Sequence, residues 1–156
     1  MRYDRGQMNW FPILLVTHIT LAVGLLLPNV VLPFLLRRSS GPPGPVTRLL
    51  MAMQGTGTLV IGAGLAATGA AMLWILGPEL LTQPWLMVAL ALYATNLLVA
   101  GFISRPNLRR LIGLRQSTAD DAAWRRRARQ QRLVAYGMAG VIGVIGLLMS
   151  TKPELW

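Results

Sequence analysis

The sequence predicts an all-α integral membrane protein, a bundle of four transmembrane helices with both termini on the outer side of a bacterial-type inner membrane. Three observations carry that expectation. Four long runs hold no Lys, Arg, Asp or Glu except at their edges, in a chain that is 54% hydrophobic and only 13% charged. With a mean hydropathy of +0.53, such a chain is too apolar for an ordinary soluble domain. Twelve of the fourteen arginines fall within 37–48 and 105–132, and basic residues concentrate in the cytoplasmic loops of membrane proteins. Finally, Trp10, Trp74, Trp85 and Trp156 all fall at the ends of the runs away from those arginines, where interfacial aromatic anchors belong.

A hydrocarbon core of about 30 Å needs about 20 helical residues, and the elements follow in order within a single domain spanning 1–156. The first helix, 10–36, is long enough to tilt, and Pro28 and Pro33 in its inner third favour a kink. Its basic start resembles a signal peptide, but the apolar run is too long and no small-x-small site precedes the arginines, so it is read as a retained helix. The loop 37–48 contains Ser39, Ser40, Gly41, Pro42, Pro43, Gly44 and Pro45, which predict a short extended turn. A second helix over 49–76 returns to the outer side, and a short connection leads to a third over 84–104. After it, Leu108, Leu111, Ile112 and Leu114 among Arg109, Arg110 and Arg115 predict a short amphipathic piece lying at the headgroups. Thr118 with Asp121 three residues on resembles a capping box. It opens a last helix over 119–150, roughly 48 Å long at 1.5 Å per residue, whose first part projects into the cytoplasm.

The net charge of +10 resolves by side. The excess lies in the basic loops 37–48 and 105–132, so orientation and contact with anionic lipid headgroups account for it. Arg125, Arg126, Arg127, Arg129 and Arg132 around Trp124 form its densest part, a surface for lipid or for an acidic partner. No recognised RNA-binding module accompanies the charge, so nucleic acid is not an expected partner. With no cysteine there is neither a disulfide nor a thiolate metal site.

Because lipid gives helices no hydrophobic reason to associate, small residues mark where backbones approach closely. On the second helix these are Ala63, Ala67 and Ala71, beside Gly62, Ala66 and Ala70 with Thr58 on the next row; on the fourth they are Ala135, Ala139 and Gly143. Such faces serve either the bundle itself or contact with other integral membrane subunits or a second copy.

Intramembrane polar residues are costly and raise a functional question by default. His18 lies roughly 12 Å into the first helix, Tyr93 at matching depth on the third, and Asn96 one turn deeper; Asn29 and Gln54 fall near the inner interface. His18 is the only histidine. It could ligate haem b or handle a proton, or it could be a neutral packing residue bonded to Tyr93, Asn96, Thr17, Thr20 or a carbonyl. The packing reading is preferred, because a six-coordinate haem needs a second strong ligand and only methionines are at hand. Asp4, Glu79, Asp120, Asp121 and Glu154 all lie outside the apolar runs, so no acidic relay crosses the membrane, and neither catalytic residues nor a metal site are expected.

Trp10-Phe11 followed by His18, and Pro78-Glu79-Leu80-Leu81 then Trp85-Leu86 leading into Leu90-Ala91-Leu92-Tyr93, resemble the HemJ-type protoporphyrinogen oxidases and related small four-helix membrane proteins of unknown function. The resemblance covers roughly residues 10–112. It implies a role for His18 in haem binding and activity. The arginine and lysine that the oxidases carry correspond to places near Asn29 and Ala89, which favours the uncharacterised branch. The expected function is therefore a non-catalytic accessory or scaffolding subunit of a larger inner-membrane complex, respiratory or photosynthetic, with a haem-binding redox protein using His18 as the alternative.

Overall fold

The computed structural model describes residues 10–38, 44–116 and 121–152, and these are almost wholly helical. Four helices are each long and apolar enough to cross a membrane. The first, α1, is Trp10–Arg38 and runs unbroken through Pro28 and Pro33, both fully buried. The second, α2, is Pro45–Leu76; it starts earlier than the apolar run because Pro45 occupies its first turn, where a missing N–H costs nothing. Gly44, extended at its N-cap, accepts from the Arg48 N–H at 3.0 Å. α2 ends at Gly77, whose φ of +102° reverses the chain as only glycine does comfortably, and its N–H bonds the Leu73 carbonyl at 2.9 Å. A single 3₁₀ stretch, Pro78–Thr82, leads to α3, which opens on Pro84.

The third helix does not stop at 104. α3 runs over Pro84–Leu98, through a π turn at Val99–Ser104, and on over Arg105–Gln116. The piece expected to lie at the headgroups is thus the last part of α3, because Asn107, Leu108 and Leu111 form a buried face there; the side chains of Ile112, Leu114 and Arg115 lie outside the described set. The last helix, α4, is Asp121–Thr151, closed by Lys152 in the left-handed conformation with its N–H on the Leu148 carbonyl at 3.0 Å. Residues 39–43 of the predicted turn, Thr118 of the predicted capping box, and Trp156 lie outside the described residues.

α1 packs against α2 and α4, and α3 packs against α4; α2 and α3 meet where their π turns touch and at Gly62. The hydrophobic core sits at the arginine-rich end. There Leu32 and Leu36 of α1, Leu50 and Met51 of α2, Leu108 and Leu111 of α3 and Ala128 of α4 are buried together, with Val31, Leu35 and Trp124 packed on them. Segments expected as basic loops thus contribute to the core. Outside it, Phe34 and Tyr136 meet edge to face, centroids 6.4 Å apart, joining α1 to α4.

One expectation about the surface needs correction, and the small-residue faces divide between interior and surface. Trp74 and Trp10 are 88% and 64% exposed, but Trp85 is 8% exposed, a packing residue on the inner face of α3 rather than an anchor. Of the small residues, Gly62 and Ala135 are buried and Ala139 and Ala71 half-buried, whereas Ala63, Ala66, Ala67, Ala70 and Gly143 are exposed. Residues four apart advance about 40° beyond a full turn, so a stripe that begins inward at Gly62 has drifted out by Ala70. The face turned inward instead follows Thr58, Gly62, Leu65 and Gly69.

At Gly62 the approach is close. A Cβ there would stand 2.7 Å from Leu97 Cδ2 and 3.4 Å from the Tyr93 hydroxyl, while one at Gly143 would meet nothing within 4 Å. Gly62→Leu should therefore destabilise the bundle by about 1–3 kcal/mol through overpacking, and Gly143→Leu should leave stability unchanged within about 0.5 kcal/mol. Thermal unfolding of the two variants in one detergent makes the comparison.

Candidate functional site

The most concentrated buried polar chemistry among the described residues is a line of four amides, one from each helix, with the Ser104 hydroxyl of α3 beside them, next to the hydrophobic core. Asn29, Gln54, Ser104 and Gln131 are fully buried and Asn107 is 7% exposed. The donors run in one direction. Asn107 Nδ2 donates to Gln131 Oε1 at 2.8 Å, Gln131 Nε2 to Gln54 Oε1 at 3.2 Å, Gln54 Nε2 to Asn29 Oδ1 at 2.7 Å, and Asn29 Nδ2 to the Leu25 carbonyl at 2.8 Å. Gln131 Nε2 also reaches Ser104 Oγ at 2.8 Å, and Asn107 Nδ2 lies 3.4 Å from the Arg127 carbonyl. One relay therefore ties α3 to α4, α4 to α2 and α2 to α1.

Local backbone places these groups. Gln54 sits in the π turn Met53–Gly57 of α2, and Ser104 ends the π turn of α3. A π turn fits an extra residue into one turn and loosens the carbonyl ladder. In α2 the buried Thr58 hydroxyl covers the consequence, lying 2.9 Å from the Gln54 carbonyl and 3.2 Å from that of Met53. Asn29 directly follows Pro28, which lacks an N–H for the α1 ladder. On α4, Ala128, Gln131, Ala135 and Met138 make one buried stripe, whereas Arg125, Arg126 and Arg129 face outward and Arg127 and Arg132 are half-buried. The arginines expected at a lipid or partner surface are accordingly split, three fully outward and two against the bundle.

The expected trio His18, Tyr93 and Asn96 is not one cluster. His18 Nδ1 is 2.9 Å from the Thr68 hydroxyl on α2, which in turn donates to the Gly64 and Leu65 carbonyls at 3.0 Å. Of the partners foreseen for His18, a backbone carbonyl is used, that of Leu65, and Tyr93 and Asn96 are not; Thr17 and Thr20 bond carbonyls of their own helix, each at 2.8 Å. Tyr93 donates to the Gly62 carbonyl, clasping α3 to α2. Asn96 is 2% exposed, and neither its Nδ2 nor its Oδ1 has a partner among the described residues.

The imidazole of His18 is half-buried and held at Nδ1 by Thr68, and its Cε1 would lie 3.4 Å from a Cβ at Gly69, so α2 covers the Nδ1–Cε1 edge of the ring. The haem implied by the resemblance would have to bind through Nε2, with the Nδ1 contact orienting the ring. A second histidine or a cysteine to complete six-coordination is not in the sequence. Among the described residues no group of three or more His, Cys, Asp or Glu could hold a metal ion. What the polar groups can do is specify helix positions: amides and hydroxyls neither ionise near neutrality nor act as strong nucleophiles, but they fix register and orientation.

Sequence reasoning placed Asn29 and Gln54 correctly near one end of the apolar runs and missed Ser104, Asn107 and Gln131. Gln131 stands among five arginines, and only its spacing of three from Ala128 and four from Ala135 marks it as inward. No family model, curated protein or solved structure matches the chain.

Gln131 has three partners in the relay, so Gln131→Leu strands Gln54 Oε1, Ser104 and Asn107 in a dry interior. The expected loss is about 1–3 kcal/mol of stability, against less than about 0.5 kcal/mol for Gln130→Leu on the exposed side of the same helix. A thermal or denaturant titration of both variants in one detergent measures it.

Proposed function

We propose that this chain is a multi-pass integral membrane protein that acts as a non-catalytic accessory or scaffolding subunit, packing other membrane helices against its own. The observation that carries the proposal is the division of labour between interior and surface. Among the described residues the interior amides, Asn96 apart, bond one another across helices, and the Tyr93 hydroxyl bonds the Gly62 carbonyl of a neighbouring helix. Only 6% of the most apolar stretch of α2 and 11% of that of α4 is buried. A helix surface this apolar needs lipid or another protein around it.

The orientation follows the positive-inside bias: the arginine-rich end, carrying Arg109, Arg110, Arg125, Arg126 and Arg129 on the outside of the bundle, faces the cytoplasm of a bacterial-type cell and contacts anionic headgroups, and both termini lie on the other side. The partner-facing surface is the outward side of α2, where Ala63, Ala66, Ala67 and Ala70 lie exposed above Trp74. Small residues exposed on an apolar helix permit a second helix to approach closely. A respiratory or photosynthetic complex is the class of assembly that uses small subunits of this kind. In this reading His18 is a packing residue, and the protein carries no haem.

Purification from its native membrane in mild detergent should return the protein colourless and with stoichiometric partner chains. Ala66→Leu together with Ala70→Leu should release the partner, at least tenfold less recovered, without lowering the melting temperature of the subunit. Recovery of the chain only as a monomer contradicts the subunit role, and a Soret band that is lost in His18→Ala contradicts the assignment of His18 to packing.

A further inference from the structure

Asn96 stands apart from the other buried amides among the described residues. It lies on the buried face of α3 with Trp85, Ala89, Ala100 and Ser104, is 2% exposed, and leaves both its amide donor and its amide acceptor without a partner among the described residues. Stranding such a group costs about 1–3 kcal/mol, and buried polar atoms are nearly always paired, with ordered water where protein offers nothing. A side chain that needs an acceptor for its N–H and a donor for its carbonyl oxygen is matched by a guest that is both. Water is the smallest such guest, and the near-complete burial of Asn96 excludes anything much larger.

A water site needs room and two to four polar partners, and the neighbours of Asn96 can be placed by level along the bundle. Ser104 is bonded to Gln131 and Gln131 to Gln54. Two turns further along, Asn96 is therefore about level with Ala139 of α4 and Gly62 of α2. The Gly62 level is fixed independently by its contacts with Tyr93 and Leu97. Ala139 of α4 and Ala100, one turn away on α3 itself, are the small residues at this level, whereas the side of Gly62 is closed by Leu97 and Tyr93. The Tyr93 hydroxyl, one turn from Asn96 on the same helix, spends its hydrogen on the Gly62 carbonyl, so its oxygen retains a lone pair for a second donor. The backbone is also loosened here, since the Val99 N–H is shared between the Thr95 and Asn96 carbonyls where the π turn begins.

We infer that Asn96 is an internal hydration site in the middle of the bundle, holding ordered water that bridges its amide to the Tyr93 hydroxyl oxygen. Asn96 is then satisfied in the same sense as the amide relay, with water in the place of a fourth helix's side chain.

The chain contains four asparagines, Asn9, Asn29, Asn96 and Asn107, so ¹⁵N-asparagine labelling gives a readable side-chain spectrum. The full-length protein in phosphatidylethanolamine and phosphatidylglycerol vesicles is studied by water-edited solid-state NMR. The Asn96 NH₂ signal, identified by its loss in Asn96→Ala or Asn96→Leu, should gain intensity from water several-fold faster than that of Asn29, which is bonded wholly within protein. Tyr93→Phe should slow that transfer while the Asn29 and Asn107 signals stay in place. An Asn96 signal that gains no faster than Asn29, in a sample where the Asn29 and Asn107 signals report an intact relay, overturns the inference.

Discussion

One hydrogen-bonded line of amides sets the register of all four helices. Hydrophobic contact is non-directional, so a layer of Leu32, Leu36, Leu50, Met51, Leu108 and Leu111 could be built with any helix slid or rotated by part of a turn. Gln54, Asn29, Gln131, Ser104 and Asn107 do not allow that freedom. Each amide has one geometry in which both ends are satisfied, and a sliding step of one residue would leave several polar atoms in an apolar interior. Because the donors all point the same way from Asn107 to the Leu25 carbonyl, each bond also polarises the next.

The two π turns follow from this constraint. An α-helix repeats its faces every 3.6 residues, and a straight α2 could not present Leu50 and Met51, then Gln54, then Thr58 and Gly62 to the same interior without drift. The extra residue in Met53–Gly57 resets the phase, and the buried Thr58 hydroxyl covers the carbonyls that the reset loosens. In α3 the turn at Val99–Ser104 lets a helix whose upper part presents Trp85, Ala89 and Asn96 present Ser104, Asn107, Leu108 and Leu111 below. The bundle is consequently dense at its arginine-rich end and more open at the other, where the pairs His18–Thr68 and Tyr93–Gly62 are the polar clasps.

Much of this was legible in the sequence, and what was not has physical reasons. Runs of apolar residues bounded by Gly77, Pro84 and the prolines before α2 define four helices, because breakers and hydropathy act locally. Charge misled the reading of 105–132. Nine arginines in that stretch suggest that the amphipathic piece and the first part of the last helix serve only headgroups and cytoplasm, but a helix has room for charge on one side and a buried face on the other. Asn107, Leu108, Leu111, Ala128 and Gln131 occupy that buried face. The small-residue stripes have a spacing of four, which drifts around the helix, so Thr58, Gly62 and Ala135 are buried in the bundle while Ala63, Ala66, Ala67, Ala70 and Gly143 are left on its surface. For His18, Tyr93 and Asn96, depth along the chain was informative and azimuth was not; the three share a region of the bundle but point to different neighbours.

The central claim is that the relay couples the helices energetically rather than merely decorating their contacts. A double-mutant cycle on Gln54→Leu and Gln131→Leu, with unfolding free energies measured in one detergent, addresses it directly, since the bond between these two side chains links α2 to α4. The account predicts that the double variant is less destabilised than the sum of the singles, by about 1–2 kcal/mol. Additivity within about 0.3 kcal/mol would contradict it and leave the hydrophobic layer as the sole source of register.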